Sequence, residues 1–276
     1  MKKCIILFLF FIAVSNQLKA IMFQAFSEPR YNKNNQSEYI TNPNQPDGFG
    51  SQFYNIIATA IYSELVNKKF IYTPFKTMEH NYSNEQGFLE KKEWLINFKD
   101  NFEVTDKKDI PHANWGSVSF NTEQWANSII LKKIKTIFRE NKDIDNYFRN
   151  NNFNIAVHIR RPNLHDSEHP LNSYIYTPNN IFVNIINNLR ATYLDKNPLF
   201  HIYSQGELKN FTEFNAPDVI FHLNESIEDT FISMVVADVL VVSRSALSYS
   251  AAMLSDGIIY YLRFGFRPLP HWINID

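Results

Sequence analysis

FNIAVHIRRPNLHDSEHP, residues 153–170, is a short apolar run that ends abruptly in His158, Arg160, Arg161 and an acid-rich loop. Phe153, Ile155, Val157 and Ile159 recur with period two, which predicts a buried strand whose polar side chains arrive as the strand runs out. In open α/β sheets, ligands bind just outside the carboxyl ends of strands. Two guanidinium groups at such an end point to an anionic ligand such as a pyrophosphate. The plainer reading of the segment alone is a strand that finishes in solvated arginines.

Working outward, the C-terminal half alternates helix and strand. Pro178–Leu194 places Ile181, Phe182, Ile185, Ile186 and Leu189 at helical spacing, and Leu199–Tyr203 is a short apolar strand ending in Ser204, Gln205 and Gly206. A helix over Glu207–Phe214, a strand at Val219–Leu223 and a helix at Ile227–Val236 follow. A strand at Val239–Val242 then leads through Ser243, Arg244 and Ser245 into a helix at Leu247–Leu254, and Ile258–Leu262 closes the series. Strands alternating with helices every 20 to 25 residues or so predict a parallel, doubly wound sheet. Three strand ends, HIRR, YSQG and VSRS, carry polar residues and converge if their strands lie side by side.

Toward the N-terminus, PDGFGSQFYNIIATAIYSEL sets Gly48 and Gly50 before Phe53, Ile56, Ile57, Ala60, Ile61 and Leu65, a helical spacing. Glycines ahead of a helix N-terminus let backbone N–H groups approach a phosphate or sugar. A turn before a core helix accounts for the same residues, and the GK[ST] of a P-loop and the GxGxxG spacing are both missing. Phe70–Pro74 reads as a strand, completing a β-loop-α-β unit with a short strand at Ile21–Phe26. Residues 76–125 show no clear period. Their tryptophans, Trp94, Trp115 and Trp125, suit either sugar stacking or the core. Ile129–Phe148 reads as an amphipathic helix, and Asn150–Asn152 marks a domain junction.

Composition narrows the function classes. The 27 Lys and Arg balance 28 Asp and Glu, so the broad basic field used for nucleic acid or anionic membranes is missing and any anion site must be local. MKKCIILFLFFIAVSNQLKA has the layout of a secretory signal peptide, its apolar run being short for a membrane span. Cleavage near Ala20, or retention as a short anchor, places the protein in the secretory lumen or outside the cell. Cys4, the sole cysteine, lies in that segment, leaving no disulfide and no thiol nucleophile in the mature chain. Asn35, Asn81, Asn210 and Asn224 begin N-x-S/T sequons, weak indications in an Asn-rich chain.

Four stretches resemble the fucosyltransferase superfamily that includes the α1,2-, α1,6- and protein O-fucosyltransferases. They are DGFGSQFYN (47–55), VHIRR (157–161), similar to that family's HxRR motif, FHIYSQG (200–206) and EDTFISMVVADVLVVSRSALSYSAAML (228–254). The resemblance implies a GT-B architecture: two Rossmann-like domains with doubly wound parallel sheets and an intervening cleft. An acceptor-side domain would occupy 21–150 and a nucleotide-sugar domain 151–276. It also implies inverting transfer of fucose from a GDP-fucose donor to a glycan or glycoprotein acceptor, with no metal and no cofactor.

Roles follow from the matched positions. Departure of GDP builds charge on the β-phosphate, which a preorganised guanidinium stabilises as the bond breaks. Arg160 and Arg161 match the two family arginines, with Arg160 assigned to the leaving phosphate and His158 to orienting the arginines or the donor, a packed strand histidine being the alternative. Gly48, Gly50, Ser51, Gln52, Ser204, Gly206, Ser243, Ser245 and Ser248 are expected around the donor. Asp229 matches the acid that reads guanine, and equally suits a first-turn helix acid. Pro162 and Asn163 stand where many members carry Gly-Asp or Thr-Asp, so Glu168 is the expected base, with Asp166, His165 and His169 as alternatives. Two other readings remain open: another donor sugar or nucleotide, and a sugar- or nucleotide-binding protein without catalysis.

Overall fold

The structure is a computed structural model, and it describes residues 37–81, 84–107, 109–112, 122–144, 147–161 and 176–275. The leader, the strand expected at Ile21–Phe26 and the loop carrying Glu168 lie outside the described residues.

Six parallel strands form the main sheet: β3 (Phe153–Ile159), β4 (Pro198–Ser204), β5 (Val219–Leu223), β6 (Val239–Val242), β7 (Ile258–Leu262) and β8 (Ile273–Ile275). They lie in the order β5-β4-β3-β6-β7-β8. Chain order therefore runs outward from β3 to one edge, returns beside β3 and runs to the other, which is the doubly wound Rossmann arrangement. Earlier strands, β1 (Tyr39–Thr41) and β2 (Lys69–Ile71), pair in parallel, with single bridges from Thr41 to His112 and from Tyr72 to Val104. Both halves of the chain thus carry parallel sheets, as the α/β class requires.

The period-two reading of β3 holds. Ile155, Val157 and Ile159 join Phe200, Ile202, Val239 and Val241 on one face, covered by Phe182, Ile186 and Leu189 of helix Asn179–Thr192 and by Phe211 and Phe214. Ala156, Tyr203, Leu240 and Val242 face the other way. That side is covered by α1 (Phe49–Leu65), α4 (Ile129–Glu140), α6 (Ile227–Val236) and α7 (Ala246–Leu254); α2 (Phe88–Ile96), α3 (Thr122–Asn127) and α5 (Asn179–Thr192) are the other α-helices among the described residues. The second core extends without a break into the N-terminal half: Phe49 meets Phe231 edge-on at 5.4 Å, and Tyr54 stacks on Phe266 at 4.2 Å.

Several elements differ from expectation for local reasons. Helix α4 stops at Glu140 instead of reaching Phe148. Its start is fixed by Ser128, whose Oγ accepts from Leu131 N, and by Glu64, whose carboxylate accepts from Ile129 N and Ile130 N. The segment Leu208–Phe214 forms 3-10 turns broken at Phe211, in place of an α-helix. Strand β8 extends the sheet beyond β7.

Helix α2 sits in the stretch that showed no period because two of its buried residues are charged. Lys92 is 1% exposed; its Nζ lies 2.6 Å from Glu228 Oε1 and 3.9 Å from the centre of the Phe88 ring. Glu93 accepts from Phe75 N and from the Tyr72 hydroxyl, and burial raises its carboxyl pKa against the lowering effect of those bonds. The Lys92–Glu228 pair ties α2 to the first turn of α6. Lys92→Met strands a carboxylate in a confined place and is expected to lower the unfolding free energy by roughly 3 kcal/mol. Adding Glu228→Gln should recover most of that loss, as read by urea denaturation.

Candidate functional site at the parting of two strands

Because β3 pairs with both β4 and β6, the HIRR, YSQG and VSRS ends stand side by side. On the β4 side the ladder continues to Ile159 and Ser204, and Ser204 Oγ donates to Ile159 O at 2.7 Å. Toward β6 it stops at Val157 and Val241. Just beyond, Ser243 Oγ and His158 Nδ1 are 2.9 Å apart, both residues buried. This bond spans the sheet's switch point, where ligand crevices form. Burial, and then the charges of Arg160 and Arg161, push the His158 pKa down to about 3, so its ring is a neutral pin between strands.

The adjacent arginines part company. Arg161 donates to Arg160 O at 3.1 Å, to Thr177 O at 2.9 Å and to Asn179 Oδ1, and its guanidinium lies over the rings of Tyr176 and Phe211. Asn179 in turn donates to Asn210 O and to Glu213 Oε2. Burial lowers the Arg161 pKa, and the side chain is knitted to the start of α5. Arg160 is half-buried, donates to Arg161 O at 2.7 Å and reaches Gln205 Oε1 at 3.5 Å, beside the β4 end.

Two helix N-termini meet above β6. Gly48 is the N-cap of α1, and Gly50 lies inside its first turn instead of in the preceding loop. A Cβ at Gly50 would sit 2.4 Å from Leu247 N, so only glycine allows α1 to abut the start of α7. Ser250 Oγ holds the contact by donating to Gly50 O at 3.0 Å. Ser245 caps α7, accepting from Leu247 N, and Ser248 is fully buried with its Oγ 3.4 Å from Ser245 O. Gln52 donates to Asp47 O and Thr77 O, fixing the glycine turn, while Ser51 lies half-buried in the first turn of α1. Two positive helix ends at close range attract an anion.

The remaining expected residues are more dispersed. Gly206, at φ +127, exchanges two hydrogen bonds with the Asn224 side chain, at 2.9 and 2.8 Å. Asn224 entered the sequence reading only as a sequon; its link to Gly206 across two strand ends has no local signature. Asp229 lies on the exposed first turn of α6, its backbone N–H and carboxylate both bonded to Ser226 Oγ. Arg244, not singled out from sequence, extends the basic cluster at the β6 end, donating to Arg263 O at 3.1 Å. Among the described residues no group of three or more His, Cys, Asp or Glu side chains is placed to share a metal ion. Nor is any described helix long and apolar enough to cross a membrane.

No family model matches the chain, and no curated protein matches it. Among solved structures, it is similar to the α-1,6-fucosyltransferase NodZ, known from Bradyrhizobium, in a crystal with GDP: 13% identity over 80% of this chain and 93% of that one, TM-score 0.43. It is also similar to the E. coli heptosyltransferase WaaC with ADP-2-deoxy-2-fluoro heptose, at 12% identity over 86% and 92%, TM-score 0.45. A third is POFUT1 in complex with GDP, at 12% over 85% and 75%, TM-score 0.33.

The neutral state of His158 has a measurable consequence. Its folded pKa is depressed while the unfolded chain titrates near 6.5, so the unfolded state binds the extra proton and stability falls as pH drops from about 6.5 toward 3. His158→Gln keeps a partner for Ser243 and removes that proton. The acid limb of stability, measured by denaturation at successive pH values, should become shallower by ~1.4 kcal/mol per pH unit.

Proposed function

We propose that this protein is an inverting, metal-independent glycosyltransferase that moves fucose from GDP-fucose to a glycan hydroxyl. The observation that carries the reading is the position of Arg160. It stands at the end of the central strand, beside the switch point, while the abutting starts of α1 and α7 lie above the neighbouring strand. Charge that develops on a departing diphosphate would meet one guanidinium and two positive helix ends without reorganisation. The chain has a formal net charge of −1, so this attraction is local. The motif resemblance supplies the choice of GDP-fucose; the geometry alone supports an anionic, diphosphate-bearing donor.

In this reading His158 and Ser243 set the distance between the strand ends, and Arg160 serves the leaving phosphate. Arg161 ties the end of β3 to the start of α5. Gly206, fixed by Asn224, shapes the floor next to Gln205. Glu168 would take the proton of the acceptor hydroxyl, and Asp229 would face the base.

Arg160→Ala should abolish transfer from GDP-fucose, a loss of at least ~100-fold in turnover, with the melting temperature nearly unchanged. Arg161→Ala should instead lower the melting temperature, because it removes a half-buried guanidinium and leaves Thr177 O and Asn179 without their donor. Near-normal turnover in the Arg160 variant sinks the phosphate assignment. A thermal-shift series with GDP, UDP and CMP tests the nucleotide. GDP should give the largest stabilisation, and GDP binding without sugar transfer would favour a binding protein of the same fold, a reading that Pro162 and Asn163 after the arginines favour.

A further inference from the structure

A chain of hydrogen bonds runs across one face of the sheet, from buried Asn154 and His201 to half-buried His222 and exposed Glu225. His201 Nε2 lies 3.0 Å from Asn154 Oδ1, His201 Nδ1 lies 3.0 Å from His222 Nε2, and His222 Nδ1 lies 2.7 Å from Glu225 Oε1. The amide of Asn154 has a fixed orientation. Its nitrogen donates to the backbone carbonyl of Asn152 at 2.9 Å and to Asn150 Oδ1, and Asn150 Oδ1 is itself fixed by accepting from the Asn152 N–H. Asn154 Oδ1 therefore accepts, and His201 must donate to it through Nε2.

The proton count follows. Each of the three contacts joins two atoms that can accept, so each needs one hydrogen, while two neutral imidazoles carry only two. With Nε2 of His201 protonated, a neutral His201 presents a bare Nδ1, so His222 must donate to it. His222 must also share a hydrogen with the Glu225 carboxylate. We propose that the folded protein holds one additional proton on the Asn154–His201–His222–Glu225 chain, making it a pH-sensitive lock between β3, β4 and β5. The third hydrogen leaves the array neutral overall, an imidazolium against a carboxylate. Its loss breaks one of the three bonds.

The surroundings suit this role. His201 is buried, and burial followed by the neighbouring His222 pushes its pKa down to about 4, so it is the ring that stays neutral. Tyr203 of β4 stacks on His222 at 4.5 Å, Phe148 packs on His201, and Tyr147 stands near Glu225 and Asp229. Burial raises the pKa of both tyrosines above the ordinary tyrosine value, so they remain uncharged through neutral pH. Asp229 of α6 is the other acid near these tyrosines, and Asp238 accepts from Asn154 N at the far end.

Above the ordinary histidine range the unfolded chain has released its histidine protons while the folded chain keeps one. Stability must then fall as pH rises, since the folded state binds more protons. The test compares the full-length protein with Glu225→Gln, whose amide can turn its N–H toward His222 Nδ1 and satisfy all three contacts with neutral rings. For the wild type, the folding equilibrium constant should drop as pH rises above 7, by up to about tenfold per pH unit while the folded chain keeps the proton that the unfolded chain has lost. In Glu225→Gln that dependence should vanish and the stability maximum should move to higher pH. Equal slopes in the two proteins overturn the proposal. Nitrogen-15 NMR of histidine-labelled wild type at pH 7.5 gives a second readout. Protons on both nitrogens of His222 and on Nε2 alone of His201 support the lock, and a His201 ring protonated at Nδ1 alone overturns it.

Discussion

The hydrogen bond between His158 and Ser243 lies where the main sheet is least able to hold itself together. In a doubly wound sheet the crossovers leave the centre in opposite directions. The helix after β3 covers one face, and the helix after β6 covers the other. Between the two central strands the ladder stops three residues into the pairing. A side-chain bond takes over from the backbone. It works because the ring is neutral: an imidazolium there would be buried and would face two guanidinium groups within a few residues. That contact continues the hold between β3 and β6 past the end of their ladder.

The same strand geometry explains why consecutive arginines do different things. Successive side chains on a strand point to opposite faces. Ile159 belongs to the core beneath α5, and Arg161, two residues on, reaches the same side, where Phe211, Thr177 and Asn179 receive it. His158 belongs to the opposite side, and Arg160 falls between the strand ends. A pair of adjacent cations can therefore take separate places, Arg161 as a structural clamp and Arg160 at the strand ends, where the proposed function puts the phosphate. Reading the pair as a unit from sequence hides this. Reading it by parity reveals it.

Legibility in the sequence followed the source of each signal. Five of the six strands of the large sheet, all but β8, and most of its helices announced themselves because their period arises from their own residues. Helix α2 did not, since Lys92 and Glu93 turn inward to partners elsewhere in the chain, Glu228 in one case and Tyr72 and Phe75 in the other. Helix α4 read too long because the apolar residues beyond Glu140 continue a helical spacing that the backbone abandons. In the site, the convergence of three strand ends was inferable from strand alternation. The Asn224 grip on Gly206 and the contact of Gly50 with α7 were not, because both are encounters between residues far apart in sequence.

The meeting of α1 and α7 carries an energetic tension. Two helix N-termini held together place like partial charges side by side, which repel. Ser250, Ser245 and the aromatic group of Tyr54, Tyr249 and Phe266 keep the ends in place despite it. The N–H groups of a first helical turn have no partners within their own helix. On the proposed function, a donor phosphate beside these ends would offset that repulsion, so that ligand binding would also stabilise the junction between the two halves of the chain. Gly50 makes that coupling possible: any side chain there would separate the helices and disperse the positive ends.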